Sequence, residues 1–240
     1  MKLLLLSGGS RGLGSELYKR YEQNSWLVYE FSRSAPHRNS VEVDFSDPLA
    51  AHAVFSRQFD QAAQQDWEEI QIVGNAATLH PMQPLAKMQA QELVANTHIN
   101  IASALLFLSS ALDTFQDHTC RKLLVNISSG AANKGYAGWS LYCGAKAALE
   151  NVVRSVALEQ QHLPHPFTAI SINPGLIDTE MQAEIRATSV DNFPDVQKFY
   201  KRQADGLLRP PAQVAAAVAN ILSQPELTPG EVYKVDDVIG

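Results

Sequence analysis

Seven short runs of nearly unbroken apolar residues punctuate the chain: KLLLLS (2–7), SWLVYEF (25–31), VEVD (41–44), IQIVGNA (70–76), KLLVNIS (122–128), FTAISINP (167–174) and EVYKV (231–235). Runs of this kind, without strict polar alternation, suit strands of a parallel sheet that helices cover on both faces. Longer stretches between them carry apolar residues at helical spacing, near 13–24, 48–65, 85–117, 137–162, 180–203 and 210–223. Strand and helix in alternation predict βαβ units. The expected fold class is α/β, a doubly wound, mainly parallel seven-stranded sheet with helices on both faces, forming a single domain over 1–240.

The stretch 179–209 breaks this rhythm, carrying Phe193, Phe199, Tyr200 and Leu207 among many charges. An insertion at the carboxyl ends of the strands is placed to cover a substrate. A solvated helical hairpin with a few core anchors is the other reading.

Composition narrows the classes. A chain of 240 residues, 45% hydrophobic, can build a sizeable core. Its formal net charge is −6 and no block of Lys or Arg forms a basic patch, so neither nucleic acid nor a membrane surface is an expected partner. The opening MKLLLL is too short for the apolar region of a signal peptide, which needs roughly 7 to 15 residues, and reads as a buried strand. No unbroken apolar run reaches the roughly 18 residues of a membrane span. The two cysteines, Cys120 and Cys143, form neither a metal motif nor a disulfide framework, so free thiols in a cytoplasmic setting are expected. His80 and His98 have no partner spacing that points to a metal.

The first strand runs into SGGSRGLGSEL, which places Gly8, Gly12 and Gly14 around Ser10, Arg11 and Leu13 before a helix. Glycines there let the backbone approach a ligand closely, and the helix N-terminus offers unpaired N–H groups to a pyrophosphate. A dinucleotide is the expected ligand. A P-loop is excluded, because Ser15 stands where the phosphate-gripping Lys would be. At the end of the second strand, Glu30 lies inside the strand and Ser32-Arg33 follow. Arg33 and Arg11 can pair with a 2′-phosphate by charge-assisted hydrogen bonds, which points to NADPH/NADP+ rather than NAD.

After the fifth strand comes SSGAANKGYAGWSLYCGAKAALE, with Tyr142 and Lys146 one turn apart on one helix face. Such a pair is either an ordinary surface contact or a means of making the phenol a stronger acid. With Ser129, with Asp44 after the third strand, with GNAA at 74–77, with Asn100 and with NPGLIDT at 173–179, the sequence strongly resembles the short-chain dehydrogenase/reductase family. The matching features run from residue 7 to 179 in the family's order. The segments 126–150 and 174–189 are similar to the branch that holds sepiapterin reductases and bacterial benzil reductases.

The resemblance implies a Rossmann-like fold and a role for each residue. Tyr142 would protonate the carbonyl oxygen, Lys146 would lower its pKa and hold the nicotinamide ribose, and Ser129, chosen over Ser128 by its thirteen-residue distance from Tyr142, would bind the carbonyl oxygen. Asn100 would hold a water that links Lys146 to solvent. Asp44 would contact adenine; Asn75, with Ala76 and Ala77, would support the sheet beside the adenosine; Pro174, Gly175, Ile177 and Thr179 would meet the nicotinamide side. The branch implies an NADPH-dependent reductase of vicinal diketones or related small ketones, with Trp139, Leu176 and Met181, and the cover around Phe193 and Phe199, as pocket walls. A pterin side-chain reductase is the alternative, although Lys234 stands four residues after Gly230 where that group carries its pterin-anchoring Asp. A non-catalytic dinucleotide-sensing protein is a third reading. The family also implies a homodimer or homotetramer through the helices near 85–117 and 137–162.

Overall fold

The computed structural model describes residues 1–239; Gly240, the last residue of the expected domain, lies outside the described residues. Seven parallel strands form one sheet: β1 (Lys2–Ser7), β2 (Leu27–Ser32), β3 (Ser40–Glu42), β4 (Glu69–Gly74), β5 (Arg121–Ile127), β6 (Thr168–Asn173) and β7 (Val232–Lys234). Their order is β3-β2-β1-β4-β5-β6-β7, and Leu5 aligns with Tyr29 on one side and Ile72 on the other. Every pairing is parallel, so the expected mainly parallel doubly wound sheet is in fact parallel throughout.

The reason lies in the strands' own residues. Side chains alternate across a strand, so the four consecutive leucines of β1 divide between two cores. Leu3 and Leu5 face one side with Ile70, Ile72 and Leu124. Leu4 and Leu6 face the other with Val125 and Ile172. On the first side pack α2 (Pro48–Ala62), α4 (Ser103–Phe115) and α5 (Ser140–Gln160); on the second, α1 (Gly12–Gln23) and α8 (Pro211–Leu222). The first core centres on phenylalanines, with Phe107 edge-on to Phe55 at 5.2 Å and to Phe59 at 5.4 Å between ring centroids, the geometry such rings favour.

Local signals set the helix starts. Asp47 accepts from the Ala50 N–H at 3.1 Å ahead of Pro48, and Gln89 and Glu92 form a reciprocal cap on α3 (Ala90–Thr97). The expected helix over 85–117 is therefore divided: a 3-10 turn at Leu85–Lys87, then α3, a π turn at His98–Ala102, and α4. By length and composition the run Ala90–Phe115 is apolar enough to cross a membrane, although no unbroken apolar stretch in it is long. Its inner residues Phe107, Leu108, Ala111 and Phe115 pack into the sheet core. Buried Lys122 donates to the carbonyl of Phe115 at 3.0 Å and to that of Gln116, satisfying acceptors that the end of α4 leaves free.

The expected helix over 180–203 is two helices, α6 (Glu180–Ala187) and α7 (Val196–Ala204), split by Asn192, Phe193 and Pro194. The segment returns to where it left: Arg209 N–H donates to the Leu176 carbonyl at 2.9 Å, and Asp178 N–H donates to Arg209 at 2.9 Å. A short C-terminal helix, α9 (Asp236–Ile239), follows β7.

Truncating the centre of the phenylalanine core tests this packing. Phe107→Ala is expected to lower the unfolding free energy by about 3–5 kcal/mol, read from urea denaturation; a loss below about 1 kcal/mol would mean that Phe107 does not hold the two layers together.

Candidate active site

At the carboxyl edge of the sheet, β1 ends in Ser7 and the chain turns sharply through Gly8. Its φ is +70°, and a Cβ there would lie 2.7 Å from the Cα of Ala76. Only glycine fits, so the turn lies directly on the loop after β4. The hydroxyl of Ser7 accepts from the N–H groups of Asn75 and Ala76 at 3.0 and 3.2 Å, and the Asn75 amide donates to the Gly8 carbonyl at 2.7 Å. Gly14 lies beneath, where a side chain would strike the Gly8 carbonyl.

The far side of the turn is held by residues that the sequence did not single out as functional. Glu30, fully buried in β2, accepts from the Gly9 N–H at 2.9 Å and from the Ser40 hydroxyl at 2.6 Å. His37 Nε2 lies 2.9 Å from the Gly9 carbonyl, which can only accept, so that nitrogen carries the hydrogen. The His37 ring is stacked on Tyr18 at 3.9 Å. A lone acid inside an apolar strand was the available signal for Glu30.

The reacting end lies on β5 and α5. Tyr142 and Lys146 are 7% and 5% exposed, so they are a buried pair and not a surface contact. The Lys146 ammonium donates to the Ile127 carbonyl at 2.7 Å and lies 5.7 Å from the centre of the Tyr142 ring. Ser129 caps a 3-10 turn (Gly130–Asn133), accepting from Ala131 N–H at 3.1 Å, and its hydroxyl is near enough to the Tyr142 phenol to draw the phenol's pKa down. Burial pushes Tyr142 up to about 12, opposed by the nearby Ser129 hydroxyl, because a phenolate here would lose its water. Burial likewise brings Lys146 down to about 8, against the pull of the Glu150 carboxylate.

Asn100 sits in the π turn with its amide committed: it donates to the Thr78 carbonyl at 2.9 Å and to Asn96 at 3.0 Å, and accepts from Thr78 N–H at 2.8 Å. It stays off the cavity wall, which its neighbour Ile99 joins. A π turn inside a helix often marks a functional position.

A cavity of about 920 Å³ runs along this edge. Its wall includes Gly8, Ser10, Arg11, Gly12, Leu13, Arg33, Asp44, Asn75, Ala76, Ala77, Ser128, Tyr142, Lys146, Pro174, Ile177, Thr179 and Met181. Gly14, Ser129, Gly175 and Leu176 are outside that wall. Gly175 is close-packed on Asp236, and the Leu176 backbone is tied to Arg209. Trp139, expected as a wall, is 5% exposed and stacked on Phe193 at 4.6 Å, with Phe199 at 5.4 Å. Phe193 and Phe199 thus anchor the cover to the start of α5, because three aromatic faces lose more water by stacking on one another than by lining a cleft.

Arg11 stands at the rim of the cavity. Its guanidinium reaches the carboxylate of Glu180 at 2.6 Å and that of Glu184 at 3.7 Å, and Glu184 lies 3.4 Å from His80 Nε2. All four line the cavity and tie its rim to the cover. Arg33 is exposed on the wall and joins none of the ion pairs among the described residues. No cluster of three potential metal ligands occurs among the described residues. The cavity fits a dinucleotide: it is within the size range of ligand pockets, the backbone approach at Gly8 opens the N-terminus of α1 to a phosphate, and Arg33 adds an exposed cation to its wall.

The profile of the short chain dehydrogenase family matches residues 2–190. The chain is 29% identical to a benzil reductase ((S)-benzoin forming) of Bacillus cereus, covering 99% of this chain and all of that one. It is 34% identical to the sepiapterin reductase of Mus musculus, over 59% of this chain and 53% of that one. A solved short chain dehydrogenase/reductase of Saccharomyces cerevisiae superposes with a TM-score of 0.81 at 21% identity, over 99% of this chain and 97% of that one.

Replacing Glu30 probes the turn. Glu30→Ala leaves the buried Gly9 N–H without an acceptor and is expected to lower stability by about 1–3 kcal/mol, while Glu30→Gln, which still accepts, keeps most of it. Equal urea midpoints for wild type and the Ala variant would remove Glu30 from the support of the turn.

Proposed function

The chain belongs to the short chain dehydrogenase family, and from that premise we propose that it is an NADPH-dependent carbonyl reductase acting on one carbonyl of a vicinal diketone or related small ketone. The observation that carries the reading is the buried Tyr142, which lines a dinucleotide-sized cavity with Lys146 beside it and the Ser129 hydroxyl near its phenol. When bound, the reduced nicotinamide supplies the hydride.

The chain's residues do the rest. The N–H groups at Ser10 to Leu13 would hold the pyrophosphate, Arg33 the 2′-phosphate and Asp44 the adenosine, and Pro174, Ile177 and Thr179 would hold the nicotinamide side. Tyr142 keeps its proton at neutral pH, since burial holds its pKa at about 12. It releases that proton to the carbonyl oxygen only as negative charge develops there. Ser129 donates to the same oxygen. Lys146, near half-charged at about pH 8, brings positive charge beside the phenol as it loses its proton.

The full-length likeness to benzil reductase supports the diketone. The likeness to sepiapterin reductase supports a pterin side chain as second reading, but it spans 59% of the chain, and Lys234 is exposed at the end of β7, off the cavity wall. We extend the proposal to a cytoplasmic homo-oligomer. The two free cysteines favour a reducing compartment. The helical run Ala90–Phe115, with only a third of its most apolar stretch buried, and α5, with Leu158 63% exposed, favour a second copy against that face.

Purified protein is expected to oxidise NADPH in the presence of benzil or 1-phenyl-1,2-propanedione, and Tyr142→Phe to lose at least about a hundredfold in turnover for want of the acid while still binding NADPH. Near-normal turnover would sink the mechanism; NADPH binding without reduction of any diketone, sepiapterin or monoketone would favour the dinucleotide-sensing reading. Arg33→Ala is expected to weaken NADPH binding by about tenfold or more and NADH binding little. Equal losses in titrations of the two would refute the 2′-phosphate contact.

A further inference from the structure

Along α5, Tyr142, Lys146, Glu150 and Arg154 follow one another at intervals of four residues. On a helix of 3.6 residues per turn such a stripe winds slowly round the axis, and here it leads from the cavity to the surface. Tyr142, Lys146 and Glu150 are buried, whereas the Arg154 side chain is 47% exposed. Lys146 and Glu150 are the only charged residues on the buried side of α5. A helix that needed only to cover the sheet would carry apolar residues there, as at Leu149, Val153 and Ala157.

Glu150 lies one helical turn from Lys146 and bonds a residue of the cavity wall. One carboxylate oxygen accepts from the hydroxyl of Ser128, a cavity-wall residue, at 2.5 Å, and the other accepts from Arg154 at 3.2 Å. The Lys146 ammonium has one hydrogen-bond acceptor, the Ile127 carbonyl; the Glu150 carboxylate one turn further on, too far for an ion pair, favours its charged form against burial. The other charged or titratable groups on the elements packed against α5 are turned to partners of their own: His98 of the π turn to the Ser46 carbonyl, Arg121 at the start of β5 to Glu69, Lys122 to the Phe115 and Gln116 carbonyls, and Glu92 of α3 to Gln83 and Gln89. β6 and the 3-10 turn Gly130–Asn133 carry no charged side chain, and the end of β5 offers the Ile127 carbonyl and Ser128.

We infer that Glu150 is a positioning residue of this site, keeping the Lys146 ammonium charged through its own carboxylate charge and fixing the Ser128 hydroxyl, with Arg154 holding it from the surface. The catalytic consequence rests on the reductase reading; the electrostatic one does not.

The test separates them. In cofactor-free protein, the pH dependence of Lys146 acetylation by acetic anhydride, followed by peptide mass spectrometry, reads the ammonium directly. The wild-type midpoint is expected near about 8. Glu150→Gln keeps an acceptor for Ser128 and removes the charge, and is expected to lower the midpoint by about one pH unit or more, with circular dichroism unchanged. Should that variant not fold, Arg154→Met decides at a half-exposed position, because removal of the competing cation is expected to raise the midpoint. An unmoved midpoint in a folded variant overturns the inference. A shifted midpoint without carbonyl reduction would keep it and reject only the reductase reading. With a reducible diketone, the limb of the kcat/KM profile due to Lys146 is expected to move down in Glu150→Gln, which a merely structural role would not cause.

Discussion

The contact between Gly8 and Ala76 sets the geometry of the whole ligand edge. It lies between β1 and β4, where the strand order reverses and chain segments leave the sheet in opposite directions, opening the crevice in which α/β proteins bind ligands. The two loops can lie this close only because residue 8 has no side chain and because Ser7, Asn75 and the Gly8 carbonyl satisfy one another's polar groups. From there the path to the reacting end is short: β4 pairs with β5, and β5 delivers Ser128 and Ser129 to α5. A shift of the Gly8 turn would therefore move the phosphate end of the cavity relative to the rigid strands that hold its catalytic end.

Burial, rather than the attraction between Tyr142 and Lys146, governs the chemistry of the pair. Both groups lose water, and each is driven toward its neutral form, the phenol to about 12 and the ammonium to about 8. Their ordinary values, near 10 and 10.5, lie close together; in the site they are separated and reversed in order. Burial thus moves the phenol away from neutral pH and Lys146 toward it. A pair arranged the other way, with an exposed phenolate beside a charged lysine, would have no proton to give.

Much of this was legible locally. The strands follow from their apolar runs to within one or two residues, since burial on both faces leaves no other use for LLLL or for the AISI of β6. The glycine turn and the pairing of Tyr142 with Lys146 on one face follow equally from spacing. What spacing could not report depended on partners far away in sequence. Arg11 meets Glu180 across 169 positions, and nothing around either residue announces the other. Trp139 is buried because Phe193 and Phe199 come back to it, and the direction of the Tyr142 shift depends on burial that no four-residue spacing reports. Asn100 lies in a π turn that sequence periodicity had merged into one long helix.

The cover is held unequally at its two sides. At the start of α5 it is fixed by stacked aromatic residues without solvent, and Phe193 is wholly buried; replacing such a ring by alanine costs on the order of 3–5 kcal/mol. At the rim, Arg11 and Glu180 are 61% and 70% exposed in their side chains, and an exposed ion pair of that kind contributes about 0–1 kcal/mol. The rim at α6 is therefore the weaker of the two attachments, and the aromatic side the stronger. Salt would loosen the rim and leave the anchor almost unaffected, since screening acts on exposed charges and not on buried rings.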